Sequence, residues 1–364
     1  ATGYAYAGAA VAREITAAGS VGAHGISVNA RRGRLVEDEH GGAWIRGHEA
    51  RFVAEAAIER LRKALGPEAA TSPDVAYAYL WAGFANRVLA EHVCSTAIDG
   101  GPEQPYTVHL DRADTSFVRA HEMALGMGDS YLARAATAGR AQIQVLKGDW
   151  SAAVEHASEI PENFVLQLEY GPDAWDDHNS LYFSVASQPF RANTVWNTFF
   201  HDYFSETADP RTPWETMEEH PFGDQGVADY GGLVPFYRQA KYGSTTSPIR
   251  VASGREMVLV RAEAHMRNGA WEQALDLIND LRAGIGVPSW TASDSEEAWT
   301  VLKTERFIEL WLEGRRLADL RRWQAEGIPG EEHLEDPENQ AVLPDQRATC
   351  FPIPLVERET NPNF

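Results

Sequence analysis

Three glutamates stand four residues apart in the C-terminal third of the chain: Glu305, Glu309 and Glu313. Neighbouring carboxylates can do acid–base chemistry when one is held protonated and the other ionised. The same stretch, Glu305 to Trp323, also carries Arg306, Arg315, Arg316, Arg321 and Arg322. A carboxylate lined with guanidinium groups stays ionised, which is wrong for a general acid. Like charges at this helical spacing cost about 0.2–0.5 kcal/mol per pair unless cations answer them. The stretch therefore reads as an ion-pair lattice in which nearby arginines answer the glutamates. Phe307, Leu310, Trp311 and Gly314 fall at i, i+3, i+4 and i+7, which predicts one long helix with a bulky stripe on one face.

Aromatic residues with polar neighbours form a second chemical set. Trp and Tyr faces stack on the apolar faces of pyranose rings, while Asp, Asn and Arg hydrogen-bond the hydroxyls. The segment YGPDAWDDHNSLY, Tyr170 to Tyr182, places Trp175 beside Asp176, Asp177 and Asn179. A second cluster runs from Trp196 to Tyr203 as WNTFFHDY, and Trp44 with Arg46 near the N-terminus is a third candidate. Asp173, Asp176, Asp177 and Asn179 supply the clustered oxygens a calcium ion wants, but their spacing does not match an EF-hand. A solvated acidic loop is the reading preferred, and no cofactor is expected. The 12 histidines show no H-E-x2-H, and there is no paired Cys/His spacing, G-x-S-x-G, P-loop or G-x-G-x2-G.

The elements that must hold these residues are helical. Residues 140–153 read RAQIQVLKGDWSAA and residues 261–274 read RAEAHMRNGAWEQA. Arg140, Ala141, Gly148, Trp150 and Ala153 thus match Arg261, Ala262, Gly269, Trp271 and Ala274. The pattern is that of a helical hairpin. The glycine closes the first helix, the aromatic wedges between helices, and the small alanine lets them approach, as in tetratricopeptide repeats. Residues 74–126 and 296–323 read as degenerate members, giving about four hairpins that can stack. The expected fold class is all-α, a single domain of tetratricopeptide-like helical-hairpin repeats over about 46–161 and 251–327. A long irregular insert, 162–250, breaks the helical pattern, and an extended tail follows over 328–364. Long irregular segments of compact proteins usually carry function.

Charge narrows the partners. Thirty-two basic against 53 acidic residues give a formal charge of −21, which disfavours nucleic acid and anionic membrane surfaces. No run of 18 apolar residues is present, so no membrane-spanning helix is expected. Two cysteines, Cys94 and Cys350, are too few for a disulfide framework. They pair if the first helical layer meets the C-terminal tail, and are otherwise two buried thiols.

The C-terminal third carries a family resemblance. The pattern E-R-x2-E-L-x3-G-x-R-x2-D-L-x-R-W from Glu305 to Trp323 resembles the SusD/RagB family. So do the preceding EMVLVRAEAHMRNGAWEQALDLINDLRAGIGV, the ending FPIPLVERETNPN, and the earlier LWAGFANRVLAEHVCSTAIDGG. The resemblance implies a cell-surface lipoprotein of the outer membrane that captures oligosaccharides or peptides for a TonB-dependent, SusC-like transporter, without catalysis. It also implies membrane attachment only through a lipidated cysteine ahead of Ala1, which is not an initiator Met. The shared motif residues belong to the scaffold and do not specify the ligand. A protein-binding helical scaffold and a helical glycoside hydrolase are the competing classes.

Overall fold

The computed structural model describes residues 2–19, 25–174, 177–185, 190–334 and 347–364 of the 364-residue chain. Its helices begin and end where the sequence punctuation demands. α6 (Ser130–Lys147) and α7 (Trp150–Ser158) form one hairpin, and α10 (Gly254–Arg267) and α11 (Trp271–Ala283) form its repeat. Gly148 and Gly269 follow the first helix of each at φ +76° and +75°. That left-handed conformation costs a residue bearing a Cβ about 1–2 kcal/mol. Asp129 and Asp149 cap α6 and α7 by accepting from the N–H groups of Leu132 and Ala152 at 2.9 and 3.1 Å. The repeated Ala141, Ala153, Ala262 and Ala274 are all fully buried where helices touch.

α4 (Pro73–His92) and α5 (Thr107–Met127) precede these hairpins, while α12 (Ser295–Glu309) and α13 (Arg316–Glu326) follow them. α3 (Gly41–Leu65) covers α4, α7 packs on α10, and α13 returns against α4. The repeats join across their Trp wedge: the Arg267 guanidinium lies 4.2 Å over the Trp150 ring. The outcome is the expected all-α, tetratricopeptide-like stack. α1 (Thr2–Val11) and α2 (Val28–Arg31) line its N-terminal side.

Between α7 and α10 the chain leaves the helical pattern. It departs on β4 (Val165–Leu168) and returns on β8 (Ile249–Ser253), which pair antiparallel as a clasp at the base of the excursion. Within it lie α8 (Ser180–Val185), β5 (Asn193–Thr194), α9 (Phe199–Thr207), and the paired strands β6 (Trp214–Thr216) and β7 (Tyr237–Gln239). β5 pairs with β1 (Thr16–Ala17), so the N-terminal segment anchors the excursion. β2 (Ser95–Ala97) and β3 (Glu103–Pro105) form a hairpin between α4 and α5.

The structure corrects two expected elements. The single helix over Glu305–Trp323 is two helices, interrupted at residues 310–315, with Leu312 and Gly314 at positive φ. Glu14 fills the break. Its backbone carbonyl accepts from Trp311 Nε1 at 3.1 Å and its carboxylate from the Leu312 N–H at 2.8 Å. The tail is not extended throughout. Phe351 and Ile353 are buried, but α14 (Leu355–Thr360) is a short helix with Leu355 exposed. Cys94 and Cys350 form a disulfide, and the neighbouring Val93 and Phe351 make a parallel bridge. The first helical layer and the tail do meet. No helix of the described residues is long and apolar enough to cross a membrane.

Candidate ligand-binding surface

The glutamates of α12 and of the break that follows it are locked. Glu309 is fully buried and takes Arg250 at 3.0 Å, Arg255 at 3.0 Å and Arg211 at 3.0 Å. Burial alone would raise its pKa, but the three arginines hold it down at about 2. Glu305, equally buried, accepts from Arg211 at 2.5 Å, from Arg282 at 2.7 Å and from Trp290 Nε1 at 2.8 Å. Glu313 pairs with Lys241 at 2.8 Å and Arg250 at 2.5 Å. Held that low, Glu309 cannot donate a proton near neutrality.

The cations are not the expected ones. Arg211, Lys241 and Arg250 come from the 162–250 segment, and Arg255 and Arg282 from the third hairpin. The arginines adjacent in sequence serve other partners. Arg306 and Arg322 clamp Asp319 and Glu263, and Arg315 bridges Glu91 and Glu256 at 3.0 and 2.9 Å. Arg316 lies 3.9 Å over the Phe307 ring and Arg321 4.1 Å over Tyr106. The lattice therefore bolts the irregular segment to the helical stack.

That anchorage holds up an aromatic surface. The His201 ring stacks on Trp214 at 5.1 Å and on Tyr237 at 4.8 Å, and Trp214 and Tyr237 meet at 4.8 Å. All three are half-buried. α9 supplies His201, β6 supplies Trp214 and β7 supplies Tyr237. Trp214 Nε1 donates to the His201 carbonyl at 3.2 Å, which fixes its indole. Polar groups rim the rings: Asp202 beside His201 Nδ1 at 2.9 Å, and the cross-strand pair Arg238–Glu215 at 2.5 Å. The Val195 N–H donates to the Tyr237 carbonyl at 3.0 Å, so the residue before Trp196 is tied to the β7 strand. Trp196 is half-buried and meets Tyr230 edge-on at 5.6 Å. Tyr230 is held through its hydroxyl by Thr16 at 2.9 Å. Half-buried rings with carboxylates and a guanidinium at their edges are the chemistry that a hydroxylated ring ligand uses.

The residues expected to touch ligand divide sharply. Trp196 is half-buried against Tyr230. Tyr203 is not: it is 5% exposed, donates to Asp209 at 2.6 Å and accepts from Arg282 at 3.2 Å inside the ion lattice. Burial, with Asp209 beside it, pushes its hydroxyl up to about 12. Trp44 is 3% exposed and packs on His48 at 4.4 Å. It lies on α3 rather than on a loop; of the pair, Trp44 is buried and Arg46 is exposed. Asn179 is fully buried. It accepts from the Leu181 N–H at 2.9 Å at the start of α8 and donates to the Ser247 carbonyl at 2.9 Å. Its role is to join two loops. Asp177 and Asp173 are exposed, while Trp175 and Asp176 lie outside the described residues. Among the described residues no cluster of three or more His, Cys, Asp or Glu could hold a metal ion.

Sequence reading missed His201, Trp214 and Tyr237 as a group. Trp214 and Tyr237 are 23 residues apart, and only the β6–β7 pairing brings their rings together. The local signal is slight: Trp214 follows Pro213, and Pro235 precedes Tyr237 by two residues.

Comparison with known proteins agrees with this architecture. Residues 233–363 match the SusD family, SusD_RagB. The fold resembles a SusD-like carbohydrate binding protein from Bacteroides vulgatus ATCC 8482, with a TM-score of 0.68 at 15% identity over 100% of this chain and 95% of that one. It resembles a laminarin binding SusD-like protein with a TM-score of 0.67 at 14% identity, over 100% and 94% of the two chains. A surface glycan-binding protein A from Bacteroides uniformis gives 0.66 at 14%, over 96% and 90%. No curated protein matches the chain in sequence. The C-terminal third of the chain thus matches the SusD family, and the whole chain shares the fold of these SusD-like proteins.

Proposed function

We propose that the protein binds glycans on the His201–Trp214–Tyr237 and Trp196–Tyr230 surface. The single observation that carries this reading is the three-ring stack, half-buried and rimmed by Asp202, Glu215 and Arg238, on a segment bolted to a rigid frame. Proteins of the same fold include a laminarin binding one and a surface glycan-binding one, which supports a saccharide over a peptide. Binding without turnover fits, because Glu305, Glu309 and Glu313 are each engaged by arginine or lysine. In the same reading, the protein is a lipid-anchored lid at the cell surface that hands its ligand to a TonB-dependent, SusC-like transporter. Exposed Asp177 and Arg46 are further proposed ligand contacts.

Titrating a panel of neutral and acidic oligosaccharides against intrinsic tryptophan fluorescence tests binding, with product analysis alongside. The expected result is saturable quenching with no shortened sugar released; release of product would favour a hydrolase. Purification from membranes in mild detergent tests delivery. A large barrel should accompany the protein, and its absence contradicts the transporter assignment.

A further inference from the structure

α4 carries an aromatic stripe that the glycan surface does not use. Leu80 is fully buried in the core that α4 shares with α5 and α6, and Trp81 packs at the edge of that core, where with Ala85 and Val88 it also borders open space. That space is a cavity of about 310 Å3 between α3, α4 and the β4–β8 clasp. Across it, α3 offers only small side chains, with Ala50 and Ala54 one helical turn apart. Leu168 and Tyr170 close the third side. Ala50 is solvent-exposed, so the cavity opens there. Ligand pockets run from about 300 to 1,000 Å3 and combine apolar walls with a few polar groups. Well-packed interiors leave few voids larger than a water molecule.

The polar groups here limit the ligand. Arg87 donates to the Val251 carbonyl at 2.8 Å and to Gln142 at 2.5 Å, and lies 3.5 Å from Glu91. Arg250 is paired with Glu313 and Glu309. Burial pushes the His92 imidazole down to about 3, so it is neutral. Every charge at the floor is therefore answered, and a charged ligand would be buried without a counter-ion. Trp81 Nε1 and the Tyr170 hydroxyl, in contrast, make no hydrogen bond among the described residues. No ring of the glycan surface lines this cavity.

We propose that the cavity is a second binding site, for an uncharged molecule built on a flat ring, held between Trp81 and the small face of α3 with the Tyr170 hydroxyl as its polar contact. The probe that tests it is N-phenylnaphthylamine, a neutral two-part aromatic whose fluorescence rises on leaving water. The full chain should bind it saturably, one-to-one. Ala54→Leu and Ala50→Phe fill the cavity from an accessible helix face, and each should weaken the probe by at least roughly tenfold, about 1.4 kcal/mol. Their thermal midpoints should stay level or rise. Anilinonaphthalene sulfonate, which adds one negative charge, should bind at least about tenfold more weakly than the neutral probe. Trp196→Ala should leave probe binding unchanged. Non-saturable fluorescence overturns the proposal. So does probe binding that survives both filling variants in folded protein, or binding lost in Trp196→Ala.

Discussion

Glu309 shows how one residue's surroundings settle its chemistry. Its folded pKa of about 2 lies below the usual carboxylate value of about 4.3. It therefore contributes stability that is present above about pH 4.3 and lost as pH falls through 2. Glu309→Gln leaves Arg250, Arg255 and Arg211 facing a neutral group, and should cost about 3–5 kcal/mol in urea unfolding at pH 7. A cost below 1 kcal/mol would show that the arginines re-pair with Glu305, Glu313 and Asp209. Glu14 runs the opposite way. Burial raises it to about 7, against the pull of the Leu312 N–H. Its folded value is above its unfolded one, so stability is fully present below about pH 4.3 and lost as pH rises through 7. Glu14→Gln keeps an acceptor for Leu312 and removes the titration. It should stabilise the protein at pH 8 and be near neutral at pH 5, read as urea midpoints at the two values. Equal effects at both pH values would contradict a buried, titrating Glu14. His92 and His109, both pushed down to about 3 by burial, add acid sensitivity: their stabilisation is present above about pH 6.5 and fades as pH drops toward 3.

At the scale of elements, the hairpins were legible because their signals are local. Gly148 and Gly269 mark helix ends that only positive φ permits, and the buried alanines mark contact faces. Gly269→Ala should cost about 1–2 kcal/mol from backbone strain alone, measured by thermal unfolding; no loss would mean the turn rearranges freely. The break at residues 310–315 was not legible. Helical spacing continues through it, and what stops the helix is Glu14, nearly 300 residues away in sequence. The same limit hid which cations answer the α12 glutamates, since Arg211 and Arg250 reach them only through the fold of the irregular segment. Trp44, Asn179 and Tyr203 have the composition of ligand contacts. Their burial depends on tertiary neighbours that spacing does not reveal. The meeting of Cys94 with Cys350 likewise turns on long-range packing. Removing the bond by Cys94→Ala with Cys350→Ala should destabilise the tail's attachment by about 2–5 kcal/mol, visible as a lower thermal midpoint.

Across the whole molecule, rigid hairpins carry an irregular segment, and buried ion pairs fasten the two together. Such pairs are weak sources of net stability but strict about geometry, which suits a frame that must present rings in a fixed array. A formal charge of −21 keeps the surface acidic, so an uncharged saccharide meets less repulsion than a polyuronide. In the proposed function the ring surface binds glycan while the frame only holds it. Calorimetric titration of a neutral glucan into wild type, Trp214→Ala and Trp196→Ala tests this most directly, with thermal midpoints recorded for each. The expected result is saturable binding by the wild type, weakened at least about tenfold, or 1.4 kcal/mol, in Trp214→Ala and Trp196→Ala at closely similar midpoints. Full-affinity binding by both variants would contradict it.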